Sequence, residues 1–407
     1  MATTPLSHLG ALPVSEFMRD YWQQKAVFIP RALKGWRATL DGNDLAGLAL
    51  EDSVESRLII EKPTGNPLLS QWQMEHGPLA ESRFDTLPSS HFTLLIQALD
   101  QICPSVHALL NQFRFIPNWR IDDVMASVAP TGGSVGPHFD YYDVFLLQAT
   151  GTRRWQLGQT CTAESPLLAD CPLKILTEFD SHAQYTAEPG DLLYIPANVA
   201  HWGIASSDDC TTYSIGFRAP SYSDILLDLS QEIASTLSPD IRYQDPSSAL
   251  YSGGHDSGDI SRAVAEDIAE RCRAYFTPEC VAHWLGKRLT ESKRCAPEVT
   301  TDEFTYQGLI LAADARAAYT QIDNLSGDNL GCSPQNPQRG RAKAAECATV
   351  FINGEQWQTS LSLARALCNY TEIQPDLFCA DDQAIINQWI DHGYLHLPDS
   401  ANASAHR

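Results

Sequence analysis

The sequence predicts an α+β fold in which an antiparallel β-barrel is followed by a helical module and a third, mixed unit. Short apolar runs separated by Gly, Pro and Asp occupy about residues 120–218. After Pro220, apolar residues recur at helical spacing, and the last hundred residues combine a hairpin with two helical stretches. Closely spaced short strands are typical of an antiparallel barrel or sandwich, and the change of period marks a change of domain.

The composition is that of a folded, acidic chain. It has 407 residues, 43% of them hydrophobic, which is enough for two or three domains. Lys and Arg number 28 against 50 Asp and Glu, so the net charge is −22. Because a grip on a phosphate backbone needs clustered cations, direct DNA binding is not expected. A basic partner fits this charge, although an acidic surface also serves plain solubility.

Targeting and redox signals are missing from the sequence as given. We find no basic and apolar leader pattern and no apolar run of 18 residues, so we expect a cytoplasmic protein without a membrane partner. The 11 Cys are scattered without a C-x-x-C pair, which favours reduced thiols over a zinc ribbon or a disulfide framework.

The N-terminal third and the barrel region supply the first domain, which we place at residues 1–221. Helical stretches are expected at 14–23 and 44–49 and strands at 26–30 and 57–61. The barrel strands are expected at 123–129, 144–147, 154–157, 191–195 and 212–217.

A helical module is expected at residues 222–298 and a C-terminal unit at 299–407. One helix begins after a Ser221 or Ser223 cap, a second carries an apolar repeat from Ile260 to Cys272, and a third begins at Thr277-Pro278. Such an apolar stripe is either internal core or a dimer seam. In the last unit, Asn353-Gly354 predicts a type I′ hairpin. Helices at 361–368 and 381–392 then suggest a winged-helix-like unit, with a plain α+β cap as the alternative.

The motif that carries chemistry is a histidine and a carboxylate two residues apart. His138 and Asp140 share one face of an extended segment, and His201 follows 61 positions after Asp140. Two imidazoles and one carboxylate leave three positions of an octahedral ion open, which is the pattern of non-haem Fe(II) oxygenases. A lone His-x-Asp is more often a hydrogen-bonded or surface pair, and His182 is an alternative third ligand.

The surrounding glycines and prolines resemble the two motifs of the cupin superfamily. The first motif matches at Gly132, His138 and Gly151, with Asp140 replacing the second His and Val144 replacing the Glu. The second matches at Gly190, Pro196 and His201, with Asn198 in place of Gly. The two replacements in the first motif convert a closed four-ligand site into an open triad.

A cation on the next strand completes a co-substrate pocket. Arg153 follows the H-x-D segment and, by alternation, shares a face with Trp155, whereas Arg154 faces the other way. A buried Arg holds a carboxylate by charge-assisted hydrogen bonds, and 2-oxoglutarate offers one at its far end. Ser127 lies on the strand before the H-x-D segment and can add a hydroxyl. A solvated strand face is the plain alternative for the Arg pair.

Longer segments resemble the bacterial JmjC-type ribosomal oxygenases. The similarity is strong over about residues 15–225, and the segments that carry it are 119–125, 135–145, 151–155, 188–196 and 213–220. The resemblance implies a double-stranded β-helix (JmjC/cupin) barrel, a dimerising helical module and a winged-helix-like unit. It implies an Fe(II)- and 2-oxoglutarate-dependent hydroxylase that uses O2, releases succinate and CO2, and modifies an arginine of a basic large-subunit ribosomal protein.

The same resemblance assigns roles to individual residues. His138, Asp140 and His201 hold the iron, and Arg153 with Ser127 holds 2-oxoglutarate. The chain departs from the family at Tyr141 (usually Gln) and at Trp202 (usually Glu), and the sequence leaves open whether either departure alters the substrate side of the pocket.

The sequence leaves open both how the substrate is bound and which reaction is catalysed. The carboxylates of Asp122, Asp123 and Asp143 are candidates for holding a guanidinium, or else strand-end structural groups. Other activities stay open: histidyl hydroxylation, N-methyl demethylation, a cupin isomerase, or a non-catalytic interaction module.

Overall fold

The computed structural model describes residues 4–64, 70–244, 258, 260–292, 308–321, 347–369 and 372–397. It divides into two compact units, residues 1–219 and 220–407. The predicted boundary at 298/299 lies outside the described residues, so the three-domain division stays a prediction. Within the described ranges, no helix has the length and apolar character needed to cross a bilayer.

The first unit is built on two antiparallel sheets. Its strands are β1 (His8–Leu9), β2 (Leu12–Pro13), β3 (Val27–Ile29), β4 (Ser56–Lys62), β5 (Gln71–His76), β6 (Phe92–Ile96), β7 (Ile121–Ala129), β8 (Asp143–Thr150), β9 (Arg153–Thr160), β10 (Ala183–Ala187), β11 (Leu192–Ile195), β12 (Val199–Ala205) and β13 (Cys210–Phe217). The larger sheet has the order β3-β11-β8-β13-β7-β6-β4-β5 and the smaller sheet the order β10-β9-β12. This confirms the α+β class and the antiparallel barrel.

Alternation along the strands creates two cores in this unit. On β8, Phe145 and Leu147 point to a cluster that also contains Phe17 and residues of the N-terminal helices. Val144 and Leu146 point the other way and pack with Trp155 and other residues of the smaller sheet. The helices are α1 (Val14–Asp20), α2 (Gly42–Leu48), α3 (Glu81–Phe84) and α4 (Pro104–Gln112). The interior between the sheets is therefore separate from the helix-covered outer face.

The second unit contains three helices and a small mixed module. The helices are α5 (Tyr222–Thr236), α6 (Arg262–Arg273) and α7 (Pro278–Thr290). Ser221 caps α5 with a reciprocal capping box, and Thr277 caps α7, which confirms both predicted starts. The predicted apolar repeat on α6 forms a helix without a buried residue.

The rest of the second unit packs around Trp389. It contains β14 (Ile310–Leu311), β15 (Ala317–Thr320), β16 (Cys347–Ile352), β17 (Glu355–Ser360), α8 (Leu361–Cys368), α9 (Ala380–Asp391) and β18 (Leu395–His396). Asn353 and Gly354 both have positive φ, which confirms the type I′ turn between β16 and β17. This part of the chain combines strands and helices in an α+β arrangement, and its winged-helix-like identity stays a prediction.

Candidate metal and co-substrate site

Two chain segments bring the histidines together on the interior side of the smaller sheet. Residues 132–138 run antiparallel to β12 and form bridges at Ser134–Ile204 and His138–His201. The His138 and His201 peptides exchange both hydrogen bonds, at 3.0 and 2.8 Å. The two imidazole centroids are consequently 4.3 Å apart. His138 and Asp140 lie in an irregular connection rather than in a regular strand, because Pro137 has no N–H and Gly136 has a φ of +76°.

The turn before β12 fixes the carboxylate ligand. The backbone N–H of Asn198 donates to the carbonyl of Asp140 at 2.7 Å. Asn198 has a φ of +68°, a conformation that Asn tolerates better than most other residues. This explains why Asn can stand where the cupin motif has Gly.

Three ligand atoms converge as the sequence predicts. One atom from each of His138, Asp140 and His201 lies within 4.8 Å of the others, and His201 Nε2 is 3.7 Å from Asp140 Oδ2. Over the described parts of the chain, this is the one such group of three His, Cys, Asp or Glu side chains. His182 does not join it.

Hydrogen bonds orient both imidazoles for metal binding. His138 Nδ1 lies 2.9 Å from the Gly136 carbonyl, and His201 Nδ1 lies 3.0 Å from the Val199 carbonyl. Because a carbonyl only accepts, each Nδ1 carries the proton and each Nε2 presents a lone pair. Burial and the neighbouring His138 lower the pKa of His201 to about 4, so this ring is neutral at pH 7. The donor set fits a divalent iron ion with three positions left open.

A buried guanidinium lies farther along the same face of β9. Arg153 is 4% exposed and Trp155 6%, whereas Arg154 is exposed, which confirms the predicted alternation. Arg153 Nε donates to Thr212 Oγ1 at 2.9 Å, and its Nη2 is buried with no hydrogen-bond partner in the described part of the chain. Burial lowers the pKa of Arg153, while Cys210 beside it raises it. An unpartnered buried N–H of a cation is what an incoming carboxylate satisfies.

The sequence did not point to Thr212, which bonds to Arg153, or to Gln148, which bonds to Thr212. Thr212 pairs with Gln148 on β8 and with Ser127 on β7, and its hydroxyl donates to Gln148 Oε1 at 3.0 Å. Ser127 Oγ donates to the Thr212 carbonyl at 3.4 Å. The available signal in the sequence was a polar residue at an interior position of β13 (Thr212) and of β8 (Gln148).

The acidic candidates separate into two kinds. Asp143 is fully buried and accepts hydrogen bonds from Gln23, Arg120 and Tyr194, so it is a structural group and not part of the mouth. Asp122 pairs with Arg218 at 3.1 Å, and Asp123 Oδ2 accepts from Gln97 Nε2 at 3.2 Å.

A tyrosine connects the two remaining candidates to the triad. Burial, followed by the negative charges of Asp140, Asp123 and Asp122, raises the pKa of Tyr142. Tyr142 is therefore within the electrostatic influence of three carboxylates, one of which belongs to the triad.

The two departures from the family motif lie in different places. Tyr141 is 54% exposed, with its ring edge-on to Phe139, and is open to a partner. Trp202 follows His201 on β12 and therefore points to the opposite face, where its Nε1 donates to Ser134 Oγ at 2.9 Å. Of the two departures, Trp202 therefore points away from the face that carries the triad.

Comparison with known proteins agrees with this geometry. The JmjC domain family profile matches residues 108–225. A probable ribosomal oxygenase of Haemophilus influenzae is 40% identical over 219 residues, 53% of this chain and 52% of that protein. The ribosomal protein uL16 3-hydroxylase of Escherichia coli is 31% identical over 281 residues, 68% of this chain and 71% of that protein.

Solved structures extend the likeness to nearly the whole chain. The X-ray structure of E. coli ycfD matches with a TM-score of 0.77 and 26% identity, covering 96% of this chain and 100% of that one. A structure of that ribosomal oxygenase in complex with cobalt and 2-oxoglutarate matches with a TM-score of 0.74. The chain therefore belongs to the family of JmjC-type ribosomal oxygenases.

Proposed function

We propose that this chain is an Fe(II)- and 2-oxoglutarate-dependent protein hydroxylase that acts on an arginine of a large-subunit ribosomal protein. One observation carries the proposal: a His-Asp-His triad and a buried, partly unpartnered guanidinium occupy one interior face. Along β9, Arg153 lies four residues from Leu157, which is the register partner of His201. That separation is roughly 13 Å, a span that an Arg side chain and a chelating dicarboxylate fill together.

The metal role belongs to His138, Asp140 and His201. Iron bound there would couple the oxidation of 2-oxoglutarate by O2, to succinate and CO2, to hydroxylation of a C–H bond. The chain's own contribution is to hold three ligands on one side and to keep both imidazoles in the Nδ1–H tautomer.

The co-substrate role belongs to Arg153, supported by Thr212 and Ser127. Arg153 Nη2 would donate to the distal carboxylate, while the bond from Nε to Thr212 fixes the plane of the guanidinium. Ser127, next to Thr212 on the sheet, would contribute to the polar end of the pocket. This cation also excludes a simple apolar ligand, because burying it without an anion is costly.

The choice of an arginine substrate is supported by the negative charge near the triad. The negative charges of Asp140, Asp123 and Asp122 all raise the pKa of Tyr142, next but one to Asp140, so this side of the triad is acidic. Asp122 already pairs with the guanidinium of Arg218, which shows the chemistry that a substrate arginine would use. The E. coli relative is named for a ribosomal protein, and a basic ribosomal partner suits a chain of charge −22. Such a substrate also fits a cytoplasmic location.

The assay for this proposal is coupled turnover. Purified chain with Fe(II), ascorbate and O2 should convert 2-oxoglutarate to succinate faster when uL16 is added, and a uL16 variant without its target arginine should give no stimulation. If histidine-containing or N-methylated peptides stimulate succinate formation instead, the alternative substrate classes replace arginine. Absence of turnover with intact metal binding would leave a non-catalytic module.

We further propose that the chain is a homodimer through its helical module and that its last unit, 299–407, is winged-helix-like. Support for the dimer comes from large apolar side chains that the second unit leaves exposed, among them Tyr222 (85%), Leu227 (69%), Ile260 (83%) and Ile268 (40%). Large exposed apolar side chains that form one patch mark interaction sites, so the proposal requires these residues to lie together in the dimer interface. The division at 221/222 and 298/299 follows the change from strands to helices and back.

A further inference from the structure

Trp202 lies on the face of β12 opposite the metal ligands, yet its side chain is tied to the segment that carries one of them. Its indole is 9% exposed, packs edge-on against Phe179 and donates through Nε1 to Ser134 Oγ at 2.9 Å. Ser134 is 1% exposed. A buried bond between two such groups is costly to remove, because the partner left behind has no water to replace it.

The bond spans a weak part of the backbone pairing. Residues 132–138 bridge β12 at Ser134–Ile204 and at His138–His201. Between these bridges, the Gly136 N–H is bonded to Ser134 Oγ at 3.0 Å, and Pro137 has no N–H. Neither residue can therefore donate to β12. The indole of Trp202 supplies a link between the two segments in the place of those ladder bonds.

The same hydroxyl connects Trp202 to the His138 ring. Ser134 Oγ accepts from Trp202 Nε1 and from the Gly136 N–H, and the Gly136 carbonyl accepts from His138 Nδ1 at 2.9 Å. Gly136 has a φ of +76°, and a Cβ there would come within 2.3 Å of Ile175 Cδ1. The Gly136 carbonyl orients His138, and the hydrogen bond from the Gly136 N–H to Ser134 Oγ holds Gly136 in this conformation.

We propose that Trp202 is a positioning residue for the metal site: through Ser134 and Gly136 it fixes the orientation and tautomer of His138. This rests on the proposed metal role of His138. A bond that orients a ligating histidine typically contributes 10- to 100-fold to metal affinity, and Trp202 acts two steps farther away, through Ser134 and Gly136. We therefore expect a loss of roughly tenfold.

The test is metal affinity, measured by the visible absorption of Co(II) titrated into the chelator-treated full chain. Trp202→Phe keeps the ring packed on Phe179 and removes the N–H. Trp389→Phe is the matched control, because that indole is fully buried and its Nε1 has no partner in the described part of the chain. We expect roughly tenfold weaker Co(II) binding for Trp202→Phe and no change for Trp389→Phe, while the smaller ring lowers the thermal midpoint of both variants.

A double variant and a spectroscopic measurement keep the test sharp. Ser134→Ala should weaken Co(II) binding at least as much, and adding Trp202→Phe to it should cost nothing further, since the two act in one chain of bonds. In the unaltered protein, ¹⁵N NMR should show His138 protonated at Nδ1, a readout that does not need a folded variant.

Three results distinguish the possible failures. Unchanged Co(II) affinity in a folded Trp202→Phe chain, additive losses in the double variant, or an Nε2-protonated His138 would each overturn the positioning role. A parent protein that binds no Co(II) would instead refute the proposed function.

Discussion

Arg153 offers the sharpest test of the co-substrate pocket. Arg153→Met keeps most of the apolar stem and removes the charge and every N–H. The side chain is 4% exposed, so solvent cannot replace what is lost. Its Nε bond to Thr212 is lost as well, but the Thr212 hydroxyl keeps Gln148 as a partner. The variant should therefore fold.

The expected magnitude follows from the bonds that the guanidinium makes. A hydrogen bond to a charged group contributes about 1.5–3 kcal/mol. At 1.4 kcal/mol for each factor of ten, the apparent KM for 2-oxoglutarate should rise by roughly 10- to 150-fold. The value of kcat at saturating 2-oxoglutarate should fall much less, because Arg153 is expected to bind the far end of the molecule.

The neighbouring residue supplies the control. Arg154→Met makes the same substitution one residue away, on the exposed face of β9. Succinate formation is measured against 2-oxoglutarate concentration for the parent and both variants. If the KM of Arg153→Met equals that of the parent, or if Arg154→Met raises it as much, Arg153 does not hold the co-substrate and the reasoning from its unpartnered Nη2 is refuted.

The remaining predictions concern the metal ligands, pH and assembly. His138→Ala and Asp140→Ala should abolish Co(II) binding and succinate formation with the thermal midpoint kept, and full activity in either variant would remove that residue from the site. Burial and His138 lower the pKa of His201 to about 4 from 6.5, so the stability this group gives the metal-free chain is complete above pH 6.5 and is lost as the pH falls towards 4. The loss is about 2 kcal/mol between pH 7 and pH 5. Urea unfolding of His201→Gln should lack it, and equal slopes for the two proteins would contradict it. Leu227→Glu with Ile268→Glu should convert a dimer to a monomer in sedimentation without loss of Co(II) binding, whereas a monomeric parent would rule out the dimer.

The triad was predictable because its information is local. His138 and Asp140 are two positions apart, and the Gly and Pro residues around them and around His201 reproduce two spaced motifs. The alternation that buries Arg153 and exposes Arg154 is equally local, since it follows from the period of a strand. The caps at Ser221 and Thr277 and the turn at Asn353-Gly354 belong to the same class.

What escaped the sequence depends on pairing between distant segments. Arg153 bonds to Thr212, and Thr212 bonds to Gln148 because β13 pairs with β8. The bond from Trp202 to Ser134 depends on two β-bridges between residues 132–138 and β12, which are separated by an irregular stretch. No periodic pattern in the sequence predicts such bridges.

The roles of Asp143 and of the apolar repeat on α6 were also ambiguous in the sequence. In the sequence, Asp143 is a candidate for binding a substrate guanidinium. In the structure, it is buried and accepts hydrogen bonds from Arg120 and Tyr194. The apolar repeat on α6 has the spacing of a core helix, but Ile268 is 40% exposed. Helical spacing identifies a face without naming what covers it.

Intact-mass analysis of ribosomal proteins tests the central claim most directly. Ribosomes from a strain lacking the enzyme are incubated with the purified chain, Fe(II), ascorbate and 2-oxoglutarate, with Asp140→Ala as the control. We expect one large-subunit protein to gain a single oxygen atom and fragment spectra to place it on an arginine. Consumption of 2-oxoglutarate with no ribosomal protein oxidised would contradict the ribosomal substrate, and no consumption at all would contradict the oxygenase itself.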